Sequence, residues 1–271
     1  MDKKFEVTFL GTNGSCAYNN GKRRKYGTNT LCTLVRAGET MLLFDLGSGI
    51  VGLKELKMNR NKEKHLFFSH YHLDHISGLL FCSDFFDPDQ QIHLYGGGDD
   101  KNDFRDILEQ FLSPPHHPVG FEVFKAKIRF HPLTAGMRIP LPGGVSVHTY
   151  QLSHTGAALG YRVEYDGKAL CLCMDVELAN HQNDDGLVEF TRNADLLVLD
   201  SFFGTGVPTP GWGHSNTYEC AEWAARVNAK MLALSHYHYT YTDDDIDAME
   251  LTAREIFPKA FASADFMQVT L

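Results

Sequence analysis

Near the start of the chain, residues 5–9 alternate in polarity. Phe5-Glu6-Val7-Thr8-Phe9 places apolar side chains at every second position, the period of a strand with one buried face. The pattern predicts a strand over Phe5–Leu10, a turn at Gly11-Thr12-Asn13-Gly14, and a polar loop reaching Tyr26. A second strand follows from Thr30 to Arg36. After the Gly38-Glu39 turn, Met41–Asp45 is apolar almost throughout and reads as a third, fully buried strand. Val51–Asn59 reads as a helix, and the apolar Leu66-Phe67-Phe68 then leads into Ser69-His70-Tyr71-His72-Leu73-Asp74-His75.

The periodicities beyond it predict a helix over 76–82, a strand over Gln91–Tyr95 and a helix over 100–112. Ser113-Pro114-Pro115-His116-His117-Pro118 breaks the pattern as a stiff loop. Strands occupy 121–150, with turns at Gly136 and Pro142-Gly143-Gly144, and a hairpin joins Gly160–Glu164 to Ala169–Met174 through Asp166-Gly167. Leu196–Leu199 ends at Asp200. A helix over Thr217–Asn228 starts behind Asn216 and Glu219, which are spaced as a capping box. Strand Met231–Leu234, a helix over 243–256 and a terminal strand complete the pattern. Strands followed by helix occur twice, and no linker or repeat intervenes. That order predicts two sheets packed together and covered by helices, with residues 1–271 as one domain.

Hydrophobic residues make up 43% of the chain and charged residues 22%, which is ample for a packed core. No apolar run reaches membrane-spanning length, and Met1-Asp2-Lys3-Lys4 leads into an alternating strand rather than a signal-peptide core, so a soluble, cytoplasmic protein with no membrane partner is expected. A net charge of −9 argues against a surface built to hold long nucleic acid, which needs a clustered basic footprint. A small anionic ligand is still allowed, because a metal ion can supply local positive charge. The six cysteines do not suggest a disulfide scaffold, and Cys171 and Cys173, two apart on one strand, share a face as small buried hydrophobes.

The chemistry is concentrated at the ends of the predicted strands. In an extended chain His70, His72 and Asp74 point the same way, with His75 following at the mouth of the next helix. Imidazoles and a carboxylate so close together suit zinc and similar ions. His154, Asp175 and His236 each end a later strand. Five histidines and two aspartates exceed what one tetrahedral ion needs and fit two.

With His70-x-His72-x-Asp74-His75 followed in order by His154, Asp175 and His236, the chain resembles the metallo-β-lactamase superfamily. The resemblance implies an α+β fold, an αββα sandwich of two mixed β-sheets flanked by helices. It implies two divalent ions, zinc in the first place and manganese or iron(II) otherwise. One would be held by His70, His72 and His154, the other by Asp74, His75 and His236, with Asp175 and a hydroxide bridging them. Asp45 resembles the family's aspartate beneath the metals, and a plain strand-to-turn cap is its alternative reading.

Asp200 and Gly213-His214-Ser215-Asn216 resemble the acidic residue and Gly-His-Ser-Thr segment of tRNase Z-like phosphodiesterases, with Asn216 where Thr is usual and Asp200 in place of a glutamate. His154-Thr155-Gly156, Gly160-Tyr161-Arg162, Ser113-Pro114-Pro115 and Thr28-Asn29-Thr30 are similar to segments of a compact branch that includes phosphoribosyl cyclic phosphodiesterases. What this implies is a dinuclear hydrolase of a small phosphodiester, such as a cyclic nucleotide or cyclic sugar phosphate. Asp74, Asp200 and His214 would be catalytic and the enzyme a homodimer without a stable nucleic-acid partner. Processing of tRNA 3′ ends, hydrolysis of an ester or lactone, and a non-catalytic metal-stabilised binder are the alternatives. Lys22-Arg23-Arg24-Lys25 reads as a solvated loop or, alternatively, as an approach to an anionic substrate; the His116/His117 pair reads as exposed or as lining the cleft.

Overall fold

Alternation along the strands decides which layer each side chain joins. In the strand Lys168–Cys173, Leu170 and Leu172 enter the layer between two sheets, whereas Cys171 and Cys173 face the helices outside. The shared burial of the two cysteines is as the sequence predicts. A computed structural model of the chain describes residues 3–19, 21–56, 62–98, 102–205 and 211–271.

The strands, in chain order, are β1 (Phe5–Gly11), β2 (Cys32–Ala37), β3 (Thr40–Phe44), β4 (Glu63–Phe67), β5 (Gln91–Gly97), β6 (Lys127–Leu133) and β7 (Arg138–Pro140). They continue with β8 (Ser146–Gln151), β9 (Leu159–Tyr165), β10 (Lys168–Cys173), β11 (Leu196–Asp200), β12 (Leu232–Ser235), β13 (Ala260–Ala262) and β14 (Gln268–Thr270). Two seven-stranded sheets result, ordered β14-β1-β2-β3-β4-β5-β6 and β13-β12-β11-β10-β9-β8-β7. Each is mixed. β1 to β3 and β8 to β10 pair antiparallel, then β3 to β6 and β10 to β13 run parallel. The helices are α1 (Leu73–Ile76), α2 (Phe104–Phe111), α3 (Asp185–Thr191), α4 (Thr217–Arg226) and α5 (Asp243–Ile256). The fold is an αββα sandwich.

Apolar contact fills three layers. Between the sheets, Phe67 stacks on Phe44 and Tyr95 with ring centroids 5.2 and 4.3 Å apart. Truncating Phe67 to alanine would cost about 3–5 kcal/mol, because so large a buried void cannot collapse. Outside the first sheet, Phe104 and Leu108 of α2 cover Leu66 and Leu94. Outside the second, Trp223 of α4 and Ile246 and Met249 of α5 cover Leu197, Leu199 and Leu234. The capping box expected at Asn216 and Glu219 is present, so α4 starts where its sequence predicts. Among the described residues no helix is long and apolar enough to cross a membrane.

Several local expectations are corrected. β4 ends at Phe67, so His70, His72 and Asp74 do not lie on one strand face; His70 and His72 sit in the following loop, and Asp74 and His75 on the first turn of α1. The helix expected over 76–82 does not form: α1 ends at Ile76, and Leu79–Phe81 is a separate 3-10 turn. The stretch after Ser48 is a 3-10 helix over Ser48–Leu56, and the predicted residues 57–59 lie outside the described residues. The helix expected over 100–112 is α2, with 100–101 likewise outside. Helix α3 escaped the sequence reading because it is short; Asp184 caps it by accepting from the Leu187 amide. Arg23 is not solvated. It is 3% exposed, and its guanidinium donates to Asn13 Oδ1 and to the His238 carbonyl.

Candidate metal centre

Strand ends from both sheets meet at one rim of the sandwich. The chain leaves β3 at Asp45, β10 toward Asp175 and β12 at His236, and all three residues adopt left-handed backbone, with φ of 57°, 53° and 59°. A non-glycine residue there costs about 1 kcal/mol or more, so the surrounding bonds must hold it. Asp45 and Asp175 follow equivalent strands, each the one at which its sheet changes from antiparallel to parallel.

Asp45 fixes the histidine loop from below. Its carboxylate accepts from the Ser69 amide at 2.8 Å and the Ser69 hydroxyl at 2.9 Å, and lies 3.0 Å from His75 Nδ1. Holding Nδ1 in this way turns Nε2 of His75 into the centre. On the other side, His154 Nδ1 donates to the Gly213 carbonyl at 3.0 Å, leaving its Nε2 free to face inward.

The seven side chains come together in two groups joined by Asp175. His70, His72 and His154 surround its Oδ1, which is 3.6 Å from His154 Nε2 and 3.9 Å from His70 Nε2. Its Oδ2 is 3.0 Å from His75 Nε2 and 3.4 Å from His236 Nε2. Asp74 completes the second group, its Oδ2 lying 3.2 Å from His236 Nε2 and 3.7 Å from His75 Nε2. Asp200 and His214 stand against this second group. His214 Nδ1 donates to Asp200 Oδ2 at 2.7 Å, while Asp200 Oδ1 is 3.5 Å from His236 Nδ1.

The donor atoms fit divalent ions on their own chemistry. His70 Nε2, His75 Nε2 and Asp175 Oδ2 are buried without a hydrogen-bond partner. Buried polar atoms are rarely left so, and here they converge on shared space within 4.8 Å of one another inside each group. Electrostatics agrees. Burial, then the neighbouring His75, push the His70 imidazole well below its usual range, which keeps a lone pair available. Burial alone would raise the Asp175 carboxyl, yet His236, His75 and His70 hold it well below the carboxylate range, so it is anionic.

Several supporting residues were not legible as functional in the sequence. Ser15 donates its amide to Asp74 Oδ2 at 2.7 Å, from a segment that reads only as a polar loop. Gly14 lies against His236, where a Cβ would come within 2.7 Å of the ring. Gly213 belongs to the Gly-His-Ser-Asn segment singled out in the sequence, but its packing is visible only in the fold: at φ 81° it lies against the His154 ring, and its amide is held by Glu177 Oε2 at 3.0 Å. Phe202 stacks on His214 with centroids 4.5 Å apart. His116 is exposed and His117 turns Nδ1 to the Val119 carbonyl, so neither joins the donor groups.

Residues 40–237 match the family described as Beta-lactamase superfamily domain. A Ribonuclease Z from Pyrococcus furiosus is 23% identical over 97% of this chain and 95% of its own. Among solved structures, the metallo-beta-lactamase fold protein YhfI from Bacillus subtilis superposes with a TM-score of 0.75 at 19% identity, covering all of both chains. The short form of human tRNase Z gives 0.67 at 21% identity, covering 97% of this chain and 98% of its own. The chain belongs to the metallo-β-lactamase superfamily.

Proposed function

We propose that the protein is a two-metal phosphodiesterase acting on a small substrate, with cyclic nucleotides or cyclic sugar phosphates as the class. The observation that carries this is the Asp200–His214 pair set against the second donor group. His70, His72 and His154 would hold one ion and Asp74, His75 and His236 the other, with Asp175 shared. Zinc suits this imidazole-rich set first, manganese or iron(II) next. Such ions, when bound, supply an acidified water and positive charge at the phosphoryl group.

The chain's own residues do the rest. Asp200, fully buried and anionic, keeps the proton of His214 on Nδ1 when the ring is neutral. Nε2 is then the nitrogen that takes up a proton and delivers it to the leaving oxygen. The Phe202 ring covers one face of that imidazole and excludes water from it. Asp74 has two roles in this reading. It is a metal ligand and, through its contact with His236, helps to order the reacting centre.

Substrate size is supported by charge and length. The net charge of −9 disfavours a polyanion. The alignment to the Pyrococcus furiosus relative runs over 312 positions for a chain of 271 residues, so that relative has segments this chain lacks. Processing of tRNA 3′ ends is the second reading, favoured by the Ribonuclease Z name of relatives that match along nearly their whole length. Metal-loaded protein assayed on bis(p-nitrophenyl) phosphate, a panel of cyclic nucleotides and a precursor tRNA separates the two. Turnover of the small diesters with intact precursor tRNA is expected. Cleavage of the precursor at its 3′ side with no action on cyclic substrates would replace the first reading by the second. Cytoplasmic location and a homodimer remain part of the proposal, the latter checked by light scattering.

A further inference from the structure

A cleft of about 300 Å³ opens beside Asp74, at the edge of the second donor group. Its lining includes Val51, Leu73, Phe81, Cys16, Ala17 and Asp74. Leu73 is 62% exposed, Phe81 60% and Val51 49%. An isolated exposed apolar side chain needs no explanation, but three that converge on a concavity next to reactive groups mark a binding site. Leu73 lies between the donor residues His72 and Asp74 at the start of α1, so the turn that directs Asp74 inward leaves Leu73 outside.

The cleft asks for an apolar occupant. Its floor hydroxyls serve one another: Ser48 and Thr30 exchange bonds of 2.7 and 2.8 Å between amide and hydroxyl, and Ser77 Oγ lies 3.4 Å from Thr30 Oγ1. They have little left to offer a ligand. Asp74 is the single charged residue of the lining, and its carboxylate is engaged by the Ser15 amide and His236.

We infer that this cleft takes an apolar ring of aryl or nucleobase size, carried by the part of the substrate that stays on phosphorus: directly on the retained ester oxygen in an acyclic diester, and through the sugar in a cyclic nucleotide. The inference rests on the phosphodiesterase reading. His214, the proton donor there, groups with Asp175, Asp200 and His236, whereas the cleft opens at Asp74. A phosphoryl group between them directs its leaving oxygen to His214 and its retained arm to Leu73 and Phe81.

Two diesters with the same leaving group test this on metal-loaded protein: bis(p-nitrophenyl) phosphate and methyl p-nitrophenyl phosphate. Phe81→Ala should lower the ratio of their kcat/KM values about tenfold, the effect of lost contact in an apolar pocket, and Leu73→Ala should act in the same direction. An unchanged ratio overturns the inference. Binding is read separately through Cys16, because the other five cysteines are buried. Phenylphosphonate should slow alkylation of Cys16 by iodoacetamide while methylphosphonate does not; equal effects overturn it. If neither diester is turned over, the phosphodiesterase reading fails and the Cys16 result still decides the cleft. If Phe81→Ala shifts a monomer–dimer equilibrium and leaves the ratio unchanged, the apolar patch belongs to a second copy of the chain and the inference falls.

Discussion

His214 Nδ1 donates to Asp200 Oδ2 at 2.7 Å, and Asp200 is wholly buried behind it. A carboxylate in that position fixes the tautomer and the orientation of the ring. His214→Ala is expected to lower kcat by about 10²–10⁴-fold with KM nearly unchanged. Asp200→Asn should do the same to a smaller extent. The measurement is kcat on bis(p-nitrophenyl) phosphate beside metal content per chain. A loss under about threefold with full metal content would favour the carboxylic-ester alternative, in which the leaving group needs no such donor.

Asp175 faces both donor groups, with Oδ1 toward His154 and Oδ2 toward His75. Asp175→Ala is therefore expected to reduce bound metal at both positions, whereas His72→Ala weakens one. Plasma emission spectrometry on purified variants gives the count. Equal stoichiometry in the two variants would refute the shared role.

Removing metal should also lower stability, because the folded chain alone presents the assembled ligands. Ion at a thousandfold excess over its dissociation constant contributes about 4 kcal/mol. Chelation is expected to lower Tm, and added zinc or manganese to restore it. Calorimetry before and after chelation measures the difference.

Gly213 binds the His214 segment to His154 of the first donor group, accepting from its Nδ1 while a Cβ at Gly213 would collide with its ring. Gly213→Ala adds that collision to an unfavourable left-handed φ of 81°. The expected result is at least tenfold lower kcat together with weaker metal retention. Loss of kcat with metal retention unaltered would place the damage in the His214 segment alone.

Away from the centre, His65, His93 and His131 stand side by side on β4, β5 and β6, with ring centroids 5.0 and 5.1 Å apart. Burial first, then His93 and His131, push the His65 imidazole down to about 4. Unfolded, it titrates near 6.5. Between those values the unfolded chain binds a proton that the folded chain refuses, so stability falls as pH drops from about 6.5 to about 4. The loss is on the order of 2–3 kcal/mol. Glu63 opposes it in part, lying 3.2 Å from His93 Nε2. Urea unfolding at pH 7.5 and 4.5 should show a shallower dependence in His65→Gln than in the native chain, and equal slopes would refute the assignment.

Much of the fold was legible because local rules act on local sequence. The alternation in Phe5-Glu6-Val7-Thr8-Phe9 gave β1, and the Asn216/Glu219 spacing gave the start of α4. Reading His70, His72 and Asp74 as one strand face failed. The chain turns after Phe67, where Ser69 bonds to Asp45, a residue distant in sequence. Arg23 was misread for a similar reason. A basic run is usually solvated, but the carbonyl of His238 and the side chain of Asn13 wait for this one, and neither is near it in sequence.

By itself the sequence singled out the seven side chains that the structure gathers at one rim, because metal-binding side chains are distinctive types. The tertiary structure alone decided how they are shared. That Asp175 presents one oxygen to each histidine group, that Gly14 and Gly213 must lack side chains, and that Leu73 and Phe81 border a cleft at Asp74 are consequences of packing two sheets face to face, so that their strand ends meet at one rim. Contacts of that kind join residues far apart along the chain, and no local pattern encodes them.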